Sequence, residues 1–386
     1  MKSSTYLARL TPPGIGAIAT LALRGPGALE VLRKTFRRAQ QSPSSRDFFT
    51  FLESRAEPGA FWFGKFGDLT SATDEVVLSL RRTTPTPWFE IHCHGGRHVV
   101  AMLEEVLQRH GVQVCSWQEL YRLTTADEWK VVALEAMTMA TTVRTATILL
   151  DQFHGAFVGA VSKILELLQN RQWETAKNEL SKLRSWASLG RHLTTPWRVV
   201  IGGAPNVGKS SLINRLAGYQ RSVVAPAPGT TRDVVSTSLA IDGWPIEVID
   251  TAGLRTSPEA LEKAGIDLAT EALQTADLAL WVVDGSNDPV WPTEEFGQKL
   301  VVINKVDLDP VWDFSNRSDA ILVSAKTGKG IDKLCETISH WLVPEPPEPG
   351  TAVPFTDELC SVIETAAKLW DSNPESARDV LEEWKS

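Results

Sequence analysis

The 386-residue chain has few cysteines and no long apolar run, and each shortage argues against a class of protein. Its four cysteines, Cys93, Cys115, Cys335 and Cys360, are far apart and show no Cys-x-x-Cys spacing. This disfavours a disulfide framework or a zinc site and favours reduced thiols in a cytoplasm. No apolar stretch reaches the ~18 residues of a membrane span, and the first residues lack the apolar region of a secretory signal. We therefore expect a cytoplasmic protein with no membrane partner.

Positive charge is also in deficit, because 39 Lys and Arg residues stand against 47 Asp and Glu residues and the formal net charge is −8. A nucleic-acid partner would therefore have to bind a local basic patch. The hydrophobic content of 43% and charged content of 22% are typical of globular proteins. The length predicts two or three domains.

Glycine is placed where phosphate chemistry needs it, in the segment GGAPNVGKSSLINRLAG at 202–218. The pattern G-x-x-x-x-G-K-[ST] lets backbone N–H groups surround a β-phosphate, while its lysine reaches the β- and γ-phosphates and its hydroxyl binds Mg²⁺. An apolar run at 198–202 precedes the loop and apolar residues at helical spacing follow it. This strand–loop–helix setting places the anion at a helix N-terminus. The loop residues expected at the nucleotide are Gly203, Asn206, Val207, Gly208, Lys209, Ser210 and Ser211.

Residues 198–343 alternate between strand and helix patterns, with buried strands predicted at 245–250, 278–285, 300–307 and 320–326. Such alternation predicts an α/β domain with a largely parallel sheet and a ligand at the carboxyl ends of its strands. The DTAG motif places Asp250 where it can hold Mg²⁺ through water and Gly253 where its N–H can contact a γ-phosphate. The GTTRD motif supplies Thr231, with Thr230 nearby, to complete the Mg²⁺ shell.

The NKVD motif at 304–307 predicts which base is bound. The Asp307 carboxylate can accept hydrogen bonds from N1–H and the exocyclic amine of guanine, whereas adenine would leave it unpaired. Asn304 is expected to connect this loop to the phosphate loop, and the Lys305 stem to lie along the base. A backbone N–H to the guanine oxygen is expected from Ser324, Ala325 and Lys326. Five motifs in this order predict a GTP-binding domain.

The route to hydrolysis is less direct, because Leu254 follows DTAG where some GTPases have a water-orienting glutamine. Arg232 and Arg255 are candidates for an arginine finger from the same chain. Asn206 offers another route, since its side-chain oxygen could hold a monovalent cation against the phosphates and neutralise developing charge. Alternatively, Asn206 hydrogen-bonds within its own loop.

The segments GGAPNVGKSSLINRLAG, APAPGTTRDVV and DTAGLRTSPEALEKAGI resemble the tRNA-modification GTPase family MnmE, also called TrmE. The resemblance implies that GTP, Mg²⁺ and K⁺ are bound and that K⁺ replaces the arginine finger. It also implies a potassium loop at VAPAP (224–228) and a water-positioning Glu262. The residues implied for K⁺ are Asn206, Ala225, Ala227 and Thr230. Those implied for Mg²⁺ are Ser210, Thr231 and Asp250, and those implied for catalysis are Asn206, Gly253 and Glu262.

The resemblance continues at LARLTPPGIGAIATLALRGPGA (7–28) and FEIHCHGG (89–96). It implies an N-terminal domain that forms a homodimer and binds a tetrahydrofolate derivative, with Arg24 and Glu90 at the matching positions. The histidines of HCHGGRH invite a metal interpretation, but their spacing is loose and a Gly-Gly turn that closes a strand fits better.

Helical periodicity lies on both sides of the nucleotide domain, over 131–190 and 356–386, with a proline-rich segment at 343–354. The pattern and the resemblance together predict an α/β P-loop GTPase domain inserted in an α-helical domain, with an N-terminal α+β folate-binding-like domain. The predicted domains are 1–116, a helical domain of 117–196 plus 344–386, and a G domain of 197–343.

Some features depart from the family. The sequence ends in VLEEWKS, where the family has a cysteine-bearing C-[IVL]-G-K signature, and Glu128 stands where a folate-site lysine is expected. We therefore expect a divergent, C-terminally shortened member.

Two functions remain in competition. In the first, K⁺-assisted GTP hydrolysis serves the 5-carboxymethylaminomethyluridine pathway of the tRNA wobble position, with tRNA and a flavoprotein of the MnmG (GidA) type as partners. The alternative is a GTP-gated switch or binding module, a paralogue that has lost tRNA modification. A ribosome-assembly GTPase of the Era or Der type is disfavoured, because no KH-like GxxG segment follows the G domain.

Overall fold

The computed structural model describes residues 4–14, 16–39, 48–49, 52, 56–67, 73–125, 127–219, 236–250, 272–292, 299–370 and 372–385. The chain forms two compact units, Met1–Val131 and Val132–Ser386. The boundary falls inside one helix, Glu128–Met139. Domain limits at 116, 196 and 343 stay predictions.

The first unit is an α+β arrangement around a seven-stranded sheet in the order β3-β4-β5-β6-β2-β1-β7. All neighbouring strands are antiparallel except β1 and β7. Its elements are β1 (Tyr6–Arg9), β2 (Ile18–Arg24), α1 (Ala28–Thr35), β3 (Phe36–Arg38), β4 (Phe61–Gly67), β5 (Thr73–Arg82), β6 (Trp88–His94), α2 (Arg97–Arg109), β7 (Gln113–Cys115), α3 (Trp117–Arg122) and the first residues of α4 (Glu128–Met139).

Alternation along the strands decides which face of this sheet is the core. Leu21 and Leu23 of β2 and Phe89 and Ile91 of β6 point to one face, where they are buried with side chains of α1 and α2. On the other face Ala8, Ala22 and Leu120 form a smaller cluster. This second face therefore carries the polar side chains of the same strands.

The second unit begins with helices that precede the nucleotide domain and ends with helices that follow it. Its helices are the rest of α4, α5 (Val143–Phe153), α6 (Ala156–Gln169), α7 (Trp173–Ser185), α8 (Ala187–Arg191), α11 (Asp357–Trp370) and α12 (Pro374–Lys385). The Phe157 ring of α6 contacts the rings of Phe355 and Trp384, with centroids 5.8 and 5.1 Å apart. Two hydrogen bonds of 2.9 Å join the Arg191 guanidinium to the Glu364 carboxylate. The leading and trailing helices therefore pack on each other.

The same unit contains a six-stranded sheet in the order β13-β12-β11-β8-β10-β9, parallel except for the β9–β10 hairpin. Its elements are β8 (Trp197–Gly202), α9 (Lys209–Tyr219), β9 (Ser236–Ile241), β10 (Trp244–Asp250), β11 (Leu278–Asp284), β12 (Lys299–Asn304), β13 (Ala320–Leu322) and α10 (Ile331–Leu342). A strand is present at each predicted position. The prediction of 320–326 as one buried strand was wrong in extent and in burial, because β13 is partly exposed and Ser324 turns away to donate its N–H to the Lys329 carbonyl. The predicted strand at 300–307 was also too long, since β12 ends at Asn304 and Lys305 has a left-handed backbone.

No single helix among the described residues is long and apolar enough to cross a membrane. One bent pair, α5 with α6, passes the same test by length and composition when the two helices are joined across a 45° bend.

Candidate functional site

The phosphate-loop sequence follows β8 and has an unusual backbone that explains its glycines. Gly203 and Gly208 have φ values of 141° and 96°, in the left-handed region. A Cβ atom at Gly203 would overlap the Val282 carbonyl, and one at Gly208 would overlap the Asn304 side chain. Both glycines are therefore required by conformation and by close approach of neighbouring strands.

Lys209 begins α9 and lies over the loop. Its Nζ donates to the carbonyl oxygens of Gly203 and Ala204, each at 2.9 Å, and the residue is 7% exposed. A buried ammonium that is bonded to loop carbonyls can exchange them for phosphate oxygens without leaving its place. The contact of Lys209 with the β- and γ-phosphates stays a prediction, and this location is compatible with it.

The residues predicted to share Mg²⁺ lie on neighbouring elements. Asp250 ends β10 and pairs in register with Ile201 of β8, the strand that leads into the loop. The Ser210 hydroxyl donates to Asp250 Oδ2 at 2.8 Å, and Asp250 is 6% exposed. A hydroxyl and a carboxylate oxygen so close together suit a hard cation such as Mg²⁺, so these two residues fit the ion.

Asn304 ends β12 and joins three loops. Its Nδ2 donates to the Val207 carbonyl at 2.8 Å, and its Oδ1 accepts from the Ala325 N–H at 3.0 Å. The residue is 2% exposed. The amide therefore fixes the phosphate loop, the NKVD loop and the 324–326 segment against one another.

Asp307 stands exposed at the end of the NKVD loop and keeps its negative charge. Its Oδ1 accepts a 2.6 Å hydrogen bond from the Ser324 hydroxyl, and this bond lowers the pKa of the carboxyl below its usual range. An ionised acceptor in this position can bind two donors of a guanine edge.

The 324–326 segment is held by an arginine that no sequence motif indicated. Arg215 of α9 donates Nε to the Ala325 carbonyl at 2.8 Å and Nη2 to the Lys326 carbonyl. The Ser324 N–H donates to the Lys329 carbonyl, and the Ala325 N–H donates to Asn304 Oδ1. The Lys326 N–H is therefore the candidate donor to a guanine oxygen.

A second residue missed from the sequence is Asp284, the last residue of β11. Its Oδ2 accepts from Lys305 Nζ at 2.6 Å. The signal was an acidic residue that ends a strand, but only the pairing of Asp284 with Asn304 shows that it meets the NKVD loop. The carboxylate accepts other donors as well, and its pKa falls to about 2.

Several predicted residues lie outside the described part of the chain. They are Ala225, Ala227, Thr230, Thr231, Gly253 and Glu262, together with Arg232, Leu254 and Arg255. Ser211 is described and exposed on α9.

Arg24 and Glu90 lie on the polar face of the N-terminal sheet. Arg24 pairs with Trp88 and Glu90 with Ala22, so the two-residue period puts both side chains on one face. The Arg24 guanidinium lies 5.2 Å from the centroid of the Trp88 ring, and burial, assisted by the charge of Arg82, lowers its pKa to about 10. Glu90 Oε1 is 3.3 Å from Arg81 Nε.

The histidines of HCHGGRH have ordinary partners. His92 Nδ1 lies 3.0 Å from the Thr20 hydroxyl, and His94 Nδ1 lies 2.7 Å from Asp74 Oδ1. Among the residues that the structure describes, no group of three or more His, Cys, Asp or Glu is placed to hold a metal ion.

Comparison with known proteins gives matches to both parts of the chain. Residues 198–312 match the family described as 50S ribosome-binding GTPase, and residues 5–120 match the family described as GTP-binding protein TrmE N-terminus. A tRNA modification GTPase MnmE of Thermus thermophilus is 30% identical over 367 residues, which cover 86% of this chain and 81% of that protein. MnmE of Symbiobacterium thermophilum is 30% identical over 380 residues, with the same shares of 86% and 81%.

Among solved structures, the G domain of the Thermotoga maritima FeoB iron transporter is 26% identical, with a TM-score of 0.28. The match covers 38% of this chain and 98% of the FeoB chain. Aquifex aeolicus Era bound to GDP and AlF4⁻ is 27% identical with a TM-score of 0.28, and it covers 42% of this chain and 60% of its own.

Proposed function

The chain belongs to the tRNA modification GTPase MnmE family, and from this premise we propose that its GTP hydrolysis drives wobble-uridine modification of tRNA on the 5-carboxymethylaminomethyluridine pathway. The chain is a GTP-binding hydrolase. The observation that carries the proposal is the presence of a TrmE-type N-terminal domain and a GTPase domain in one chain, with similarity to MnmE over 86% of its length.

The proposed nucleotide site begins at the phosphate loop. Lys209 exchanges its two loop carbonyls for phosphate oxygens, and Ser210 with Asp250 and Thr231 holds Mg²⁺. The bound ion supplies charge neutralisation at the phosphate oxygens. The 2.8 Å approach of Ser210 to Asp250 supports this assignment.

Guanine is proposed to bind beside the NKVD loop. Asp307 accepts from the base edge, Lys305 lies along the base, and the Lys326 N–H donates to the guanine oxygen. The support is the ionised state of Asp307 and the rigid link that Asn304 makes between the loops. Val207, Ser211 and the loop glycines are the remaining residues proposed to contact the nucleotide.

Potassium assistance is the finer part of the proposal. Asn206 has a φ of 66°, is exposed, and makes no side-chain hydrogen bond within the described part of the chain. Its amide oxygen is therefore free to take a cation, and the alternative of a bond within its own loop loses support. Ala225, Ala227 and Thr230 are assigned to the same ion, with Glu262 orienting water and Gly253 contacting the γ-phosphate.

The architecture is proposed to follow the family. The nucleotide domain (197–343) is inserted in a helical domain of 117–196 plus 344–386, supported by the packing of α6 and α8 on the trailing segment. The N-terminal α+β domain forms a homodimer and takes a tetrahydrofolate derivative, with Arg24 and Glu90 on one sheet face. A flavoprotein of the MnmG (GidA) type is the proposed partner.

The test is mass spectrometry of wobble-uridine nucleosides in tRNA from cells whose gene for this chain is deleted. The carboxymethylaminomethyl-type nucleosides should disappear and return with the wild-type gene. A Lys209→Ala gene, which lacks the phosphate-binding ammonium, should not restore them. An unchanged nucleoside profile in the deletion strain would contradict the proposal and favour a GTP-gated binding module.

A further inference from the structure

We infer that Asp284 is a positioning residue of the guanine site, whose carboxylate holds the Lys305 side chain in place before the base arrives. The inference rests on the proposed assignment of Lys305 and Asp307 to guanine. It adds a residue from a different strand, outside the NKVD motif.

The Asp284 carboxylate is the meeting point of four donors. Its Oδ1 accepts from the Ser286 N–H at 2.8 Å and the Ser286 hydroxyl at 2.7 Å. Its Oδ2 accepts from Asn287 Nδ2 at 2.9 Å and Lys305 Nζ at 2.6 Å. The side chain is 8% exposed, so these bonds are made in an environment that is largely closed to water.

Three of the four donors are neutral groups of Ser286 and Asn287, which follow Asp284 closely in the sequence. Their bonds to the carboxylate form a common type of aspartate turn. The fourth is a charged side chain from the loop that follows the neighbouring strand. Burial opposes ionisation of Asp284, but the bonds from Lys305, Asn287 and Ser286 outweigh it and lower the pKa to about 2, so the carboxylate is ionised throughout the neutral range. The ion pair is therefore a built feature of the site.

Lys305 needs this support. Its φ of 67° is in the left-handed region, which non-glycine residues rarely adopt. Its side chain is 29% exposed, and a lysine side chain without a partner samples many rotamers. The bond to Asp284 selects one of these rotamers, so the methylene stem already has the position in which it would pack along guanine. Pre-organisation of this kind strengthens binding by reducing the ordering that binding requires.

The turn that carries Asp284 is also fixed by its backbone. The Trp312 indole N–H donates to the Asp284 carbonyl at 2.9 Å, and the Gly285 N–H donates to the Asn304 carbonyl at 2.9 Å. Neither bond uses the carboxylate. Replacing Asp284 with Asn should therefore leave the turn in place while presenting either a weaker acceptor or an amide donor to the Lys305 ammonium.

The test is a double-mutant cycle in the full chain, with GDP dissociation constants measured by calorimetry. Asp284→Asn should weaken GDP binding about tenfold, and Lys305→Met should weaken it at least as much. The double variant should bind as Lys305→Met does, because the carboxylate acts through the lysine. GTP turnover should show a raised KM with kcat nearly unchanged.

Matched variants separate this role from general support of the loop. Asp313→Asn removes a similar turn-forming carboxylate, which accepts from the Ser315 N–H at 2.9 Å, and should leave GDP binding unchanged. Asp284→Glu keeps the charge and should bind within about threefold of wild type. If Asp284→Asn does not fold, Asp284→Ser, which can still form the turn, replaces it in the cycle.

Losses that add in the double variant, or wild-type GDP binding by the Asp284 variant, would overturn the inference. Failure of the guanine assignment itself has a different signature. Asp307→Asn should shift preference from GDP toward xanthosine diphosphate, and an unchanged preference would remove that assignment whatever the cycle gives.

Discussion

At the scale of single residues, the proposed potassium assistance depends on Asn206. Its exposed amide stands in the phosphate loop on a left-handed backbone. We predict that GTP turnover at saturating GTP is at least about tenfold faster in K⁺ than in Na⁺, because a cation of fitting size neutralises developing phosphate charge. Asn206→Ala should reduce the K⁺ rate to the Na⁺ rate, as measured by phosphate release.

Asn316→Ala, at another exposed asparagine in a loop of the same domain, is the control and should keep the full K⁺ effect. Equal rates of the wild-type protein in the two salts would contradict the cation proposal.

His192 gives a second prediction at this scale. Its ring stacks on Trp197, with centroids 3.5 Å apart, and Nε2 lies 3.6 Å from Asp277 Oδ1. Burial lowers the His192 pKa below its ordinary value of 6.5, with the Asp277 charge opposing the effect. The folded state thus prefers the neutral ring. The neutral His192 ring contributes its full share of the folding free energy above the unfolded-state pKa of 6.5. This contribution is lost as the pH falls through 6.5 toward the lower pKa of the folded state.

His192→Phe keeps the stacking and removes the titration. The wild-type protein should therefore lose stability relative to this variant between about pH 7.5 and pH 5. Urea denaturation at both values measures the difference. A gap in unfolding free energy that is the same at the two pH values would refute the prediction.

At the scale of elements, the helices α6 and α8 contain glycines with opposite roles. A Cβ atom at Gly190 of α8 would overlap the Pro354 carbonyl and lie 3.1 Å from Cys360 Sγ, whereas one at Gly159 of α6 would meet nothing within 4 Å. Gly190→Ala should destabilise by about 3 kcal/mol, because a packed contact must open. Gly159→Ala should stabilise by up to about 1 kcal/mol through helix propensity.

Thermal or urea unfolding of the two variants checks the pair. The two changes in unfolding free energy are expected to have opposite signs. A gain of stability in both variants would show that helix propensity outweighs packing in α8.

Elements are also where the sequence was most informative. Apolar residues at helical spacing predicted α6, and β-branched runs predicted β8, β10, β11 and β12, because these patterns depend on local periodicity. The phosphate loop could be predicted for the same reason, since its glycines are required by the local backbone conformation. The roles of Asp284 and Arg215 could not be predicted, because they depend on which elements lie next to each other in the fold. The end of β13 was missed because Ser324 leaves the strand for a loop contact.

At the scale of the whole molecule, each compact unit has its own hydrophobic core. The largest cluster takes its buried members from residues 133–381, and the cluster under the N-terminal sheet takes its members from residues 7–112. The described contacts of the phosphate loop, the NKVD loop and the 324–326 segment are internal to the second unit. A core of this size is sufficient for an independently folding domain.

We therefore predict that residues 127–386, which retain the whole of α4, fold alone and bind GDP within about threefold of the full chain. Circular dichroism should show a helical protein that unfolds cooperatively, and calorimetry should give the GDP dissociation constant. Lys209→Ala should abolish binding in the fragment and in the full chain alike, since the ammonium belongs to the same unit. A fragment that is unfolded, or that binds GDP more than about tenfold more weakly, would mean that the N-terminal unit is needed to form the nucleotide site.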